Sequence, residues 1–183
     1  MFQRILVALD RSNSSRSVLE EAIALAKPEA KLNLVTVVLP MDVGYSEPVY
    51  LGMEGLRSAW TTELYQSQMA SWQQHRQEIE HWLRSQTDYV HRQGVNVEYT
   101  SPIGAPGTTL CDVANQWNAD LIMMGRRGRS GFSELLLGSI SNYVMHHAPC
   151  SVLAVQGRMR PPVPKLSVAP VERTTIPQGI YQH

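Results

Sequence analysis

A chain of 183 residues, 43% hydrophobic and 17% charged, can bury one good core but not two generous ones, so a single domain with appendages is expected. Its 16 Lys and Arg balance 16 Asp and Glu, which argues against nucleic acid as a partner and makes any anion site local. Cys111 and Cys150, the two cysteines, both lie in apolar segments and read as buried reduced thiols rather than a disulfide or a metal pair.

Residues 1–10 form a short apolar run closed by Asp10, too brief for a signal sequence or a membrane span; a cytoplasmic protein without a membrane partner is expected. The run reads as the first strand. After the capping cluster Ser12, Asn13 and Ser14, a helix over 14–27 places Val18, Ala22 and Leu25 on one face. A second apolar strand is expected over 31–39. Residues 40–58 lack periodicity, and a helical pattern follows over 59–93, which at ~1.5 Å per residue would span roughly 50 Å. One sheet cannot cover such a length. A break is therefore expected, or a front portion with Trp60, Leu64 and Trp72 that packs elsewhere, as edge shield, lid or partner arm.

The strand expected over 95–100 alternates in polarity and suits a sheet edge. Gly104, Ala105 and Pro106 precede a helix over 108–118 that carries Leu110, Val113, Ala114 and Trp117. Strands follow over 120–124 and 151–155. From Gly157 onward, a proline-rich tail, 157–183, shows little apolar periodicity. The alternation of strands and helices predicts an α/β fold with an open, doubly wound, five-stranded parallel sheet and helices on both faces. Ligands of such sheets lie beyond the carboxyl ends of the strands, where the winding reverses. If the first and fourth strands are neighbours there, Asp10 and Gly125 face one cleft.

Between the fourth strand and the next helix runs a glycine-rich, arginine-bearing loop, from Gly125, Arg126, Arg127 and Gly128 to Gly138 and Ser139. Glycines let backbone N–H groups approach an anion, and a helix starting at Gly138 and Ser139 aims its unpaired amides and positive dipole end at the same point. The frame is Gly125, two residues, Gly128, nine residues, Gly138, Ser139. No Gly-Lys-Ser/Thr follows a four-residue gap, so it is not a Walker loop, and its place after the fourth strand excludes a dinucleotide fingerprint. Ser139 either donates to an anion or serves as an N-cap. Asp10, a poor direct phosphate ligand, either meets ribose hydroxyls, water or magnesium, or caps the following helix. Arg126, Arg127 and Arg129 either pair with phosphate oxygens or are solvated.

Asp10, the Gly104-Ala105-Pro106 turn, the run from Ala119 to Gly125, the glycine frame and the segment from His147 to Val155 together resemble the universal stress protein family, specifically its ATP-binding branch. The resemblance covers 1–156, with an insertion at about 40–75 and the tail outside it. It implies a Rossmann-like, adenine nucleotide alpha hydrolase-like sheet with strand order 3-2-1-4-5. It also implies ATP, or AMP or ADP, in the cleft, with magnesium held mainly by the phosphates and only indirectly by Asp10. Gly125, Arg127, Gly128, Gly138, Ser139, Ile140 and Ser141 would then hold the phosphates, Asp10 would lie near the ribose, and Val37 would touch adenine. The last strand, with Val152, Leu153, Ala154 and Val155, would join two copies into a homodimer. Three positions depart from the family pattern: Arg11 where glycine is frequent, Thr36 where histidine is common, and Arg126 where a small residue is usual.

The expected function is a nucleotide-dependent regulatory or stress-response protein that changes partner contacts with bound nucleotide. A slow ATPase or autophosphorylating switch is the alternative, and a nucleotide-independent dimeric partner-binding module is the third reading. Phosphoryl transfer needs a water-positioning base that no residue near the loop supplies, and the six histidines fall on helices or in the tail.

Overall fold

The structure, a computed structural model, describes residues 2–40, 54–126 and 137–156, with the side chains of Asn13 and of 54–64 excepted. The elements run β1 (Arg4–Ala8), α1 (Asn13–Leu25), β2 (Lys31–Val35), α2 (Glu54–Arg92), β3 (Asn96–Thr100), α3 (Pro106–Gln116), β4 (Leu121–Gly125), α4 (Ser139–His147) and β5 (Ser151–Val155). All strand pairs are parallel and the sheet order is β3-β2-β1-β4-β5, the order expected. The chain winds outward through β2 to β3, then returns past β1 to β4 and β5. Right-handed crossovers in the two directions put their helices on opposite faces.

The strand residues divide between those faces by their period of two. Ile5, Val7, Leu32, Leu34, Leu121 and Met123 pack with Val18 and Ala22 of α1 and with Ile79, Leu83 and Val90 of α2. Leu6, Val35, Ile122 and Met124 meet Leu110 and Ala114 of α3 and Val144 of α4 on the other side. Helices α3 and α4 approach closely, because a Cβ at Gly107 would lie 2.7 Å from the Tyr143 ring. Cys111 and Cys150 are free and half-buried against this second layer. Burial pushes both thiols up; Asp112 adds to this at Cys111, and Asp120 at Cys150.

The expected second strand, 31–39, is shorter in the structure because the chain leaves regular pairing after Val35. It stays extended beside the end of β3: Thr36 N donates to Thr100 O (3.2 Å) and Val38 N to Pro102 O (2.8 Å). The fourth strand starts one residue later than expected because Asp120 has another task. Its carboxylate accepts from Gln3 N (2.7 Å) and Arg4 N (3.1 Å), closing the amino end of β1.

The expected break in the long helix is not there. Helix α2 runs unbroken for 39 residues, about 58 Å at ~1.5 Å per residue. Its second half is anchored by Ile79, Leu83 and Val90, and Trp72 packs on the same core while its indole N–H donates to Leu39 O (3.1 Å). Residues 65–71 are exposed apart from half-buried Met69. A helix needs no cover along its whole length when good helix formers continue it and i,i+4 pairs line it, as Gln74 with Glu78 (3.2 Å) and Arg76 with Glu80 (3.5 Å) do here. It stops where Gly94 takes φ 79°. The side chains of Trp60 and Leu64, residues 41–53 of the insertion at about 40–75 and the tail from Gly157 lie outside the described residues.

At the amino end of the sheet, a polar cluster joins three elements. Glu98 of β3 accepts from Lys31 Nζ and from Trp117 Nε1, while Arg4 stacks on the Trp117 ring (4.3 Å) and donates Nε–H to Trp117 O (2.7 Å). Burial pushes the Glu98 carboxyl up, but the hydrogen bonds from Lys31 and Trp117 and the charges of Lys31 and Arg4 outweigh it, so the net shift is downward. A carboxyl lowered in the folded state adds stability above its unfolded value and loses it as pH falls through the folded value. Urea unfolding from about pH 7 to about pH 3 is therefore expected to show the Glu98→Gln variant less stable at neutral pH and less sensitive to acid than the parent. An acid limb of unchanged slope would remove Glu98 from this role.

Candidate functional site

The winding reverses between β1 and β4, which pair directly with Ala8 opposite Met124. Asp10 and Gly125 therefore emerge side by side, as the strand pattern predicted. Asp10 is held tightly: its Oδ1 accepts from Ser12 N (3.0 Å) and Ser15 Oγ (2.8 Å), and its own N–H donates to Ser15 Oγ (3.1 Å). Asp10 does not cap α1 itself, whose N-cap is Ser12; its Oδ1 ties the turn before the helix, and Oδ2 has no hydrogen bond among the described residues.

Arg11, the next residue, takes φ 61°. A left-handed backbone costs a residue with a Cβ roughly 1–2 kcal/mol. Its Nη1 lies 4.0 Å from Glu78 Oε2 of α2, with the two side chains 41% and 51% exposed. Such a pair contributes about 0–1 kcal/mol, which does not offset the strain.

On the β2 side, buried Thr36 donates its hydroxyl to Leu9 O (2.9 Å), tying the ends of β1 and β2 together. Val37 is half-buried against the α3 and α4 layer. Beyond it, Leu39 and Ile103 are exposed, and Val38 bridges to Ile103. The ledge beside Asp10 is thus apolar.

On the β4 side the backbone is clamped. Arg126 N donates to Val155 O (2.9 Å), and Gly138 N donates to Arg126 O (3.1 Å), so the two ends of the glycine-rich loop meet. Ser141, buried, donates its hydroxyl to Gly125 O (2.9 Å). Gly138 is the N-cap of α4, with φ −60° and ψ 155°, so the N-cap reading for Ser139 is corrected: Ser139 is the first helical residue and its side chain is exposed. The first intrahelical bond runs from Asn142 N to Gly138 O (2.8 Å). The amides of Ser139, Ile140 and Ser141 therefore have no acceptor within the helix. Ile140 is 38% exposed.

Gly125, Gly138, Ser139, Ile140 and Ser141 are thus brought together, with Asp10 across the strand pair and Val37 one strand further on. Arg127 and Gly128 lie outside the described residues. Arg126, expected either to pair with phosphate oxygens or to be solvated, has a buried Nε with no hydrogen-bond partner among the described residues. The donor set, amides at a helix start without a helical acceptor, fits an oxyanion. His75, His81, His91, His146 and His147 are exposed on α2 and α4, and His147 stacks on Tyr143 (4.1 Å). None of these histidines falls on the strand ends or the first turn of α4.

The model of the universal stress protein family matches residues 1–156. A universal stress protein of Synechocystis sp. is 37% identical over 155 residues, covering 85% of this chain and 98% of that protein. Two solved structures share the fold. One, a universal stress protein in complex with cAMP, has TM-score 0.56 and 23% identity, with 86% of this chain and 98% of the other covered. The second, a universal stress protein family member from Arabidopsis thaliana with AMP bound, has TM-score 0.55 and 18% identity, with 86% and 93% covered. Among the described residues no helix is long and apolar enough to cross a membrane.

Proposed function

The chain belongs to the universal stress protein family, and from that premise we propose that it is an adenine-nucleotide-binding regulatory protein that holds ATP more readily than it consumes it. The observation that carries this reading is the clamp at the carboxyl end of β4, which holds the start of α4, with its three amides that lack a helical acceptor, against Gly125, while β1, which leads to Asp10, is the neighbouring strand. Phosphates would sit on the amides of Ser139, Ile140 and Ser141, with Gly125, Arg127, Gly128 and Gly138 shaping the loop around them. Adenine would rest on the ledge at Val37. Asp10 would turn its free Oδ2 to the ribose, or through water to a magnesium ion carried mainly by the phosphates. Two structural relatives in complex with cAMP and with AMP support an adenine nucleotide as the ligand.

Holding is favoured over hydrolysis by the residue pattern, in which the glycine-rich loop carries no evident water-positioning base, and a cradle without one does not activate water. With γ-labelled ATP and magnesium, the protein is expected to raise its melting temperature with ATP concentration and to release little or no phosphate. Rapid phosphate release or labelled protein would favour the slow ATPase or autophosphorylating switch. No shift with ATP, ADP or AMP at millimolar concentration would favour the nucleotide-independent module.

A homodimer through β5 belongs to the same proposal. Among the described residues it is an edge strand, paired with β4 alone, and Leu153 is 42% exposed there. Val155 packs partly on the core, so Leu153 is the cleaner place for a charge. The parent is expected to sediment as a dimer and Leu153→Asp as a folded monomer; a dimeric Leu153→Asp would move the interface elsewhere.

A further inference from the structure

Among the described residues, Arg11 is the one arginine at this end of the sheet whose backbone is strained, and its present partner does not explain the strain. It follows Asp10 directly at the switch point, takes φ 61°, and leans toward α2, where its Nη1 lies 4.0 Å from Glu78 Oε2. Glu78 does not depend on it, because Gln74 Nε2 donates to the other oxygen, Oε1 (3.2 Å). The guanidinium is thus half-exposed and loosely engaged. The strand next to β1 is β4, about 4.8 Å away, and the loop that leaves β4 leads to the start of α4. Backbone strain kept without a structural return marks a functional position.

We propose that Arg11 is a binding residue of the nucleotide site, and that its guanidinium passes from Glu78 to a phosphate when nucleotide enters. The inference rests on the nucleotide-binding reading above and adds a consequence: nucleotide competes with α2 for Arg11, so occupancy of the cleft loosens the link between the β1–α1 turn and the long helix. The planar fork suits phosphate oxygens, and a charged bond of this kind outweighs a half-exposed ion pair. The strained position thereby acquires a role that glycine, which accepts φ 61° freely, could not fill.

Calorimetric titration of the full chain with ATP and with adenosine tests this in four proteins: the parent, Arg11→Gly, Glu78→Gln and the double variant. Arg11→Gly is expected to weaken ATP by about tenfold or more, the scale of a charged hydrogen bond, and to leave adenosine unchanged. Glu78→Gln, which frees the guanidinium, is expected to tighten ATP by about two- to fivefold, and this gain should vanish in the Arg11→Gly background. Melting curves show whether each variant is folded, and Arg11→Gly should melt no lower than the parent. Unchanged ATP affinity in Arg11→Gly, or equal losses for ATP and adenosine, overturns the assignment. No gain in Glu78→Gln, or a gain that persists in the double variant, overturns the exchange, since a general change of field would persist. If the parent binds neither ligand, the nucleotide-binding reading falls and this inference with it; if the parent binds ATP and Arg11→Gly binds it equally, only the inference falls.

Discussion

Replacing Ser139 by glutamate is expected to weaken ATP binding by more than about a hundredfold while raising the melting temperature of the nucleotide-free protein. The two effects share one cause with opposite signs. Ser139 is the first residue of α4 and its side chain is exposed, so a carboxylate there sits beside the positive end of the helix. It stabilises that end by about 0.3–1 kcal/mol. The same carboxylate occupies the place proposed for phosphate, and two like charges about 4 Å apart repel by roughly 4 kcal/mol near a protein surface. Ser139→Gln, equal in size and uncharged, separates charge from bulk and should lose far less affinity. Calorimetry with ATP and a melting curve without it read both effects. Loss of binding together with a lower melting temperature would mean damage to the fold, and unimpaired binding would place the phosphates elsewhere.

Leu83→Ala is expected to cost about 3–5 kcal/mol in urea unfolding, whereas Tyr65→Ala on the same helix should change stability by less than about 0.5 kcal/mol. Leu83 is fully buried between α2 and the sheet, in one layer with Ile5, Val7 and Leu34. Removing its branch leaves a cavity that a close-packed strand layer closes only in part. Tyr65 is 46% exposed, seven residues ahead of Trp72, where contact with the core begins. A domain of ordinary stability holds about 5–15 kcal/mol, so Leu83→Ala removes a large fraction of the total. Similar costs at the two positions would mean that the front of α2 is packed as firmly as its rear.

The contrast along α2 explains where the amino-acid pattern was legible. Strands β1 and β4 are apolar without interruption because both their faces are covered, and that made a parallel sheet readable. The alternation of β3 marked an edge, and β3 is one. The long helix was misjudged because a span of about 50 Å was weighed against the size of a sheet, as if a helix must be buried throughout. Its front half instead carries exposed Gln and Ser residues that continue the backbone without needing cover.

At the candidate site, glycine spacing pointed to the loop that leaves the fourth strand, and direct pairing of β1 with β4 puts the strand that leads to Asp10 beside it. Finer assignments depended on single hydrogen bonds that no residue pattern encodes. Gly138 rather than Ser139 became the cap, and the Ser141 hydroxyl went to Gly125 O. The left-handed turn at Arg11 was hidden because the residue that takes it is one that disfavours it. Family likeness marked Arg11 and Arg126 as departures, and only the structure gave one a loose partner and the other an unpaired buried Nε.

The central claim is that the cleft between the ends of β1 and β4 holds an adenine nucleotide by its phosphates. Equilibrium titration of the purified full chain with ATP, AMP and GTP, followed calorimetrically with magnesium present, tests it most directly. Saturable binding of one ATP per chain, weaker with AMP and weaker still with GTP, is the predicted result; no saturable binding of any adenine nucleotide at millimolar concentration would contradict it.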